Sequence, residues 1–203
     1  MYNRKNLTEK IVSADPFSQF TLWYTERLNS GVSIPDAVTL GTASAQGGVS
    51  LRMVLMKDYD EKGFTFFTNF NSRKGKELIL NPKSSLLFYW PESARQVRIE
   101  GISEKVSEQE SEEYFRTRPR ESRLTAWASD QSQVIPALEF LETKIAEFRI
   151  KYDKLDIPKP PFWGGFRLIP SRFEFWQEGE YRLHDRLVYT LGENIWKLER
   201  LAP

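Results

Sequence analysis

The sequence predicts a mainly β protein of the α+β kind, an antiparallel barrel or sheet carrying peripheral helices. Three observations carry this. Runs rich in β-branched and aromatic residues follow one another through tight, glycine-containing turns. Capped helical segments are inserted between groups of those runs. Aromatic residues make up 14% of the chain, which suits a β-rich core.

The elements follow in order. Asp15-Pro16 reads as an N-cap followed by proline at the first helical position, and Phe17, Phe20, Tyr24 and Leu28 recur at helical spacing until Gly31. AVTLGTASAQGGVSLRMVLMKDYDEKGFTFFTNF reads as a three-strand meander from Ala37 to Asn69, turning at Gln-Gly-Gly and at Asp-Glu-Lys-Gly. Ser72 caps a short helix, RKGKELIL, that ends at Asn81-Pro82. SSLLFYW and RQVRIEGISEKV are two further strands separated by Pro91. Ser107 and Glu110 form a capping box for the helix EQESEEYFRT. Pro136 opens a longer helix with Leu138, Leu141, Ile145, Phe148 and Tyr152 at 3,4 spacing. Beyond a connector from Pro158 to Pro161, WGGFRLIPSRFEFWQ and EYRLHDRLVYTL are strands around Glu178-Gly179, and Gly192-Glu193-Asn194 turns into a last short strand.

Composition narrows the function classes. Lys plus Arg total 29 against 28 for Asp plus Glu, a net charge of +1, so no global field draws in nucleic acid or an anionic membrane. The absence of cysteine excludes disulfides, thiolate metal sites and cysteine nucleophiles, and a single histidine excludes a multi-histidine metal site within one chain. No apolar window reaches the length of a membrane span and the N-terminus lacks a signal-peptide pattern, so a soluble, cytoplasmic protein is expected. The six Trp and fourteen Phe fit either a packed core with a large interface or a stacking site for a planar ligand.

Local clusters carry the chemistry. In RMVLMK, strand alternation puts Arg52, Val54 and Met56 on one face and Met53, Leu55 and Lys57 on the other. In NSRKGK, Arg73 and Lys74 stand in the first turn of a helix, where they oppose the macrodipole unless an anion is bound; solvated charges at an exposed helix start are the plainer alternative. In EYFRTRPRESRL, Arg116, Arg118, Arg120 and Arg123 gather with Tyr114 and Ser122, a donor set suited to a phosphate monoester or, equally, a surface loop paired to Glu110, Glu112 and Glu113. In EYRLHDR, Arg182, His184 and Arg186 share one face of the expected strand, just after Trp176. With no G-x-S-x-G elbow, P-loop or G-x-G-x-x-G, two anion sites and many aromatics suggest that a bound organic cofactor does the chemistry.

With these residues assembled, the chain resembles the pyridoxine/pyridoxamine 5'-phosphate oxidases of the FMN-binding split-barrel family. The resemblance rests on RMVLMKDYDEKGFTFFTN, NSRKGKEL, NPKSSLLFYW, RQVRIEG, YFRTRPRESRLTAWAS, FWGGFRL, EFWQEGEYRLHDR and the terminal WKLERLAP, in the same order along almost the whole chain. It implies a Greek-key-like split barrel with peripheral helices, 1–203 forming one domain: 1–14 a flexible arm, 15–135 the barrel core with inserted helices, 136–203 a helix and C-terminal dimerisation strands. It also implies a homodimer binding FMN between subunits and oxidising pyridoxine 5'-phosphate or pyridoxamine 5'-phosphate with O2. Motif by motif, the FMN contacts would fall on Arg52, Met53, Val54, Leu55, Met56 and Lys57, on Phe67 and Thr68, on Arg73 and Lys74 at the phosphate, and on Gln96, Gln131, Ser132, Trp176 and Arg186. Substrate contacts would fall on Lys57, Tyr114, Arg118 and Ser122 at the phosphate and on Arg182, Leu183 and His184 near the ring, with Arg182 and His184 as the catalytic pair. Two departures stand out: Phe67 occupies a position where members often carry Tyr, and the family's Arg-Arg-Glu-Tyr arm is reduced to Met1-Tyr2. The rivals are another split-barrel flavoprotein with a different substrate, and a small RNA-binding barrel, which near-zero net charge disfavours.

Overall fold

The computed structural model describes residues 7–203, so the shortened arm at Met1-Tyr2 lies outside the described residues. Six strands close into an antiparallel barrel: β1 (Ala37–Ala43), β2 (Val49–Asp60), β3 (Gly63–Asn69), β4 (Lys83–Trp90), β5 (Arg95–Lys105) and β6 (Trp163–Gln177). The sheet runs β3-β2-β1-β4-β5-β6, and pairing of β3 with β6 joins its ends. Because β4 returns to lie beside β1, the path is a Greek key, as the resemblance implied. The meander and both later strands fall where the residue pattern put them.

Strand β6 belongs to two partnerships. Its first half, 163–168, pairs with β3, whereas 172–177 pairs with β7 (Asp185–Gly192), which carries β8 (Ile195–Arg200) beyond the barrel. The switch falls at Pro170-Ser171, where the register against β5 slips between Glu100 and Gly101. Proline lacks the N–H that a regular ladder needs, so a bulge there lets one strand serve two neighbours.

Helix α1 (Pro16–Leu28) is capped by Asp15, whose carboxylate accepts from the Ser18 N–H, and packs Phe20, Trp23 and Tyr24 against the barrel. Phe20 is fully buried, with ring centroids 4.9 Å from Phe64 and 5.1 Å from Phe88. Burying each such ring contributes roughly 2–3 kcal/mol. Leu28, expected on the apolar face, is half exposed at the frayed helix end. Helices α2 (Arg73–Leu80) and α3 (Glu108–Thr117) begin at Ser72 and Ser107, whose hydroxyls accept from the Gly75 and Glu110 N–H groups.

Three expectations need correction. A helix α4 (Arg120–Ala128) follows Pro119, where only an arginine-rich helix end was expected. Helix α5 (Leu138–Lys151) starts two residues after Pro136 and buries none of its own side chains fully. It leans on α4 through Phe148 and Tyr152, whose rings lie 5.8 and 6.2 Å from Trp127, so its regular apolar spacing serves a peripheral contact. Finally, EYRLHDR is not a continuous strand: Glu180–Arg182 form a tight turn with Tyr181 and Arg182 at φ 52° and 63°, and β7 begins only at Asp185. Left-handed backbone at two successive residues cannot continue a ladder, so Arg182, His184 and Arg186 do not share a strand face.

Candidate active site

A cleft of about 690 Å³ opens where β2, β3 and the α3–α4 corner meet. It collects Met53, Val54, Leu55 and Lys57 from β2, Phe67 and Thr68 from β3, Lys74 from α2, Tyr114 and Arg118 from α3 and its cap, Ser122 from α4, and Gln131 beyond it. Residues scattered over some eighty positions of sequence thus converge on one volume, of the size typical of small-molecule sites.

Its floor is aromatic. The Phe67 ring stacks on Tyr114 at 3.9 Å and on Trp163 at 5.5 Å, with interplanar angles of 16° and 11°. Gly165 permits this: a Cβ there would lie 2.9 Å from the Phe67 ring and 2.6 Å from Val106. Most of the chain's phenylalanines serve the core, and this stack is where the planar-ligand alternative survives. Trp163 was not among the expected site residues, although FWGGF held the signal in an aromatic followed by two residues without side chains.

Two cations face the cleft without a carboxylate partner among the described residues. Arg118 lies 4.7 Å over Trp163 and 5.5 Å from Phe115, and one of its terminal nitrogens is buried with no hydrogen-bond partner. Burial pushes its pKa below the usual arginine range, an effect that Tyr114 only partly opposes. Lys74 Nζ reaches only the neutral Thr68 Oγ1 and Gln131 Oε1, each at 3.3 Å. Burial, then the charge of Arg52, lowers its pKa as well. A desolvated, uncompensated cation is costly, and an anionic ligand removes that cost. Lys57 differs: the slip of register between Met56 and Asp58 leaves it unpaired in the ladder, turned to Asp36 at 2.6 Å.

The remaining cations of these clusters have protein partners. Arg116 pairs with Glu112 and Arg123 with Asp156, while Arg120 donates to the Leu155 and Tyr152 carbonyls. The arginine-rich corner therefore offers one guanidinium, Arg118, to the cleft. Arg52 is turned inward onto Leu40 O, Thr42, Ser50 and Glu77, and Met56 is buried in the core. Arg73 is held by Glu77 at 2.9 Å and, with Ser132, borders a smaller cavity beside the cleft.

A second group of expected residues lies apart from the cleft. Gln96, Trp176 and Arg186 are direct cross-strand neighbours on β5, β6 and β7. The His184 ring sits 4.8 Å from the Trp176 ring, with Arg182 and Leu183 in the turn just before it. Trp163 and Trp176 stand near opposite ends of β6, thirteen steps apart along the strand. The expected residues thus fall in two separate groups on one chain. The outer face of β2 exposes Leu51, Met53 and Leu55 at 69, 61 and 42%.

Residues 24–152 match the family model of pyridoxamine 5'-phosphate oxidase, and residues 163–203 match that of the pyridoxine 5'-phosphate oxidase C-terminal dimerisation region. Proteins named pyridoxine/pyridoxamine 5'-phosphate oxidase from Nostoc punctiforme and Bordetella pertussis are each 52% identical over 203 residues, covering 100% of this chain and 95% and 96% of theirs. The structure of PhzG from Burkholderia lata, in complex with tetrahydrophenazine-1-carboxylic acid, superposes with a TM-score of 0.90 at 31% identity, covering 97% of this chain and 98% of that one. A pyridoxamine 5'-phosphate oxidase-related, FMN-binding protein from Nostoc punctiforme, 18% identical, shares the fold with a TM-score of 0.73 over 95% of this chain and 100% of its own. The split barrel is therefore the fold of this chain.

Proposed function

The chain belongs to the pyridoxamine 5'-phosphate oxidase family, a family of oxidoreductases, and from that premise we propose that it oxidises pyridoxine 5'-phosphate or pyridoxamine 5'-phosphate to pyridoxal 5'-phosphate with FMN as cofactor. The observation that carries this reading is Arg118: a half-buried guanidinium with an unsatisfied N–H, set over an aromatic floor and with no carboxylate partner among the described residues, fits a ligand that is both planar and anionic. Bound FMN would supply the redox chemistry, accepting hydride from the substrate's 4' carbon at N5 and delivering electrons to O2, with H2O2 released.

The residues divide the work by position. Arg118, with Tyr114, Ser122 and Lys57 around it, holds the substrate phosphate. Lys74, with Thr68 and Gln131, forms the second anion position, suited to the FMN phosphate, and Arg73 and Ser132 flank it. Fixing both phosphates sets the substrate ring against the flavin, and such positioning supplies much of the rate in a reaction of this kind. The roles of Gln96, Trp176 and Arg186 toward the flavin, and of Arg182, Leu183 and His184 toward the substrate, require a second subunit whose half-site completes the first. The exposed row on β2 and the match of 163–203 to a dimerisation region support that homodimer.

The likeness to PhzG raises a second reading, oxidation of a larger carboxylated ring system by the same fold. Relatives at 52% identity favour the phosphorylated pyridine. The deciding experiment is the visible spectrum of the purified protein followed by oxygen uptake on adding pyridoxine 5'-phosphate. Flavin absorbance with uptake is expected. Flavin without uptake leaves the fold standing and overturns the substrate.

A further inference from the structure

Resting on the flavin reading above, we propose that Glu174 is a positioning residue that fixes the Arg186 guanidinium at the second half-site. Glu174 is 2% exposed, the most buried acid among the described residues. Its Oε1 accepts from Arg186 Nε at 2.8 Å and lies 2.8 Å from the NH2 nitrogen. Its other oxygen accepts from Arg98, with Arg172 at 3.8 Å. Glu100 ion-pairs with Arg98 at 2.9 Å and accepts from Arg172 at 3.0 Å. Among the described residues, Glu174 is therefore the one carboxylate paired with Arg186.

The chain end completes the clamp. Arg186 NH1 donates to the Ala202 carbonyl at 2.9 Å, and the Leu201 N–H donates to the Arg186 carbonyl at 2.9 Å. The Nε–H and one N–H of NH1 are thus hydrogen-bonded and NH2 is ion-paired, leaving further N–H groups on the terminal nitrogens for a ligand beside Trp176. A planar fork held along one edge presents its other edge in a fixed direction, which a lysine ammonium cannot do.

The test is FMN titration of the full-length apoprotein by flavin fluorescence, together with the solvent exchange of the Arg186 Nε–H measured by NMR without FMN. Glu174→Gln, which keeps shape and burial but drops the charge, should weaken FMN binding about tenfold and speed that exchange. Arg186→Lys should lose affinity to a similar extent, and adding E174Q to it should cost little more. Arg172→Gln, which removes a neighbouring charge without touching Arg186, should stay within about twofold. Unchanged affinity and exchange in E174Q, or an E174Q effect that persists in full beside R186K, overturns the proposal. Should E174Q not fold, R186K alone decides, and undiminished affinity there overturns it. If the wild type binds no FMN the flavin reading falls, while the exchange measurement still tells whether Glu174 holds Arg186.

Discussion

The backbone N–H of Gly179 donates to Nδ1 of His184 at 3.2 Å, across a turn of five residues. A peptide N–H can only donate, so Nδ1 must be the unprotonated nitrogen of the neutral ring, and the proton sits on Nε2. The glycine is required: a Cβ at Gly179 would lie 1.9 Å from the Leu183 carbonyl oxygen. The free edge of the ring is therefore a hydrogen-bond donor, suited to hold a substrate oxygen rather than to accept a proton from it. We expect His184→Ala to lower kcat/KM by about 10–100-fold and His184→Gln, whose amide nitrogen reaches about as far as Nε2, to recover much of the loss. Equal loss in both variants would point to His184 as the base.

Arg118 yields a prediction in which stability and function part. With no ligand, its buried guanidinium lacks a partner, and aromatic contacts from Trp163 and Phe115 are its main compensation. Replacing it with an apolar chain of similar length should relieve that cost. Arg118→Met should raise the melting temperature of the apoprotein by a few degrees while raising KM for the phosphorylated substrate about 100-fold. Thermal unfolding and steady-state kinetics on the same samples check both halves, and a lower melting temperature would mean that the charge is already compensated.

What the sequence revealed and what it hid follow the range of the interactions. Asp15, Ser72 and Ser107 were legible as caps because a cap is answered three residues later. The strands were legible because alternation is local. The turn at 180–182 was not, since residues that alternate in polarity look the same whether or not the backbone turns left-handed between them. Helix α4 hid behind Pro119 and its arginines. The fates of those arginines were equally hidden, because Arg123 is answered by Asp156 and Arg120 by carbonyls beyond α5, more than thirty residues away. Lys74 and Arg118 could be placed in one cleft by resemblance, but that neither meets a carboxylate is a property of the fold.

Glu77 supplies the pH dependence. Burial alone would raise its carboxyl, but hydrogen bonds from Thr42, Ser50 and Arg73 and the charge of Arg52 outweigh burial and bring it down to about 2, against 4.5 for a free glutamate. A depressed folded-state pKa stabilises the protein fully above the unfolded value and is lost as pH falls from about 4.5 toward 2. Because those donors come from β1, β2 and α2, protonating Glu77 loosens the seam behind the second anion position. Glu77→Gln should be about 1–3 kcal/mol less stable than wild type at pH 7. In urea titrations the gap should narrow below pH ~4.5; a gap constant down to pH 3 would show that the carboxylate charge is not what holds the seam.

The last prediction concerns assembly. Leu51 and Met53 project from β2 on the side opposite the buried Met56 and stand mostly exposed. Met53 also lines the cleft, so the apolar row and the first half-site share an edge. If a second subunit both covers the row and brings Trp176 and Arg186 to the flavin, a charge placed on the row away from the cleft must disrupt two things together. Leu51→Glu lies outside the cleft lining and outside the core, so the barrel itself should fold with unchanged secondary structure. It should run as a monomer in light scattering, and its FMN affinity should fall at least about tenfold even though every proposed flavin contact remains in the chain. A monomeric L51E protein that binds FMN as tightly as wild type would mean that one subunit builds the whole site, and that the two groups of residues on this chain are not halves of one site.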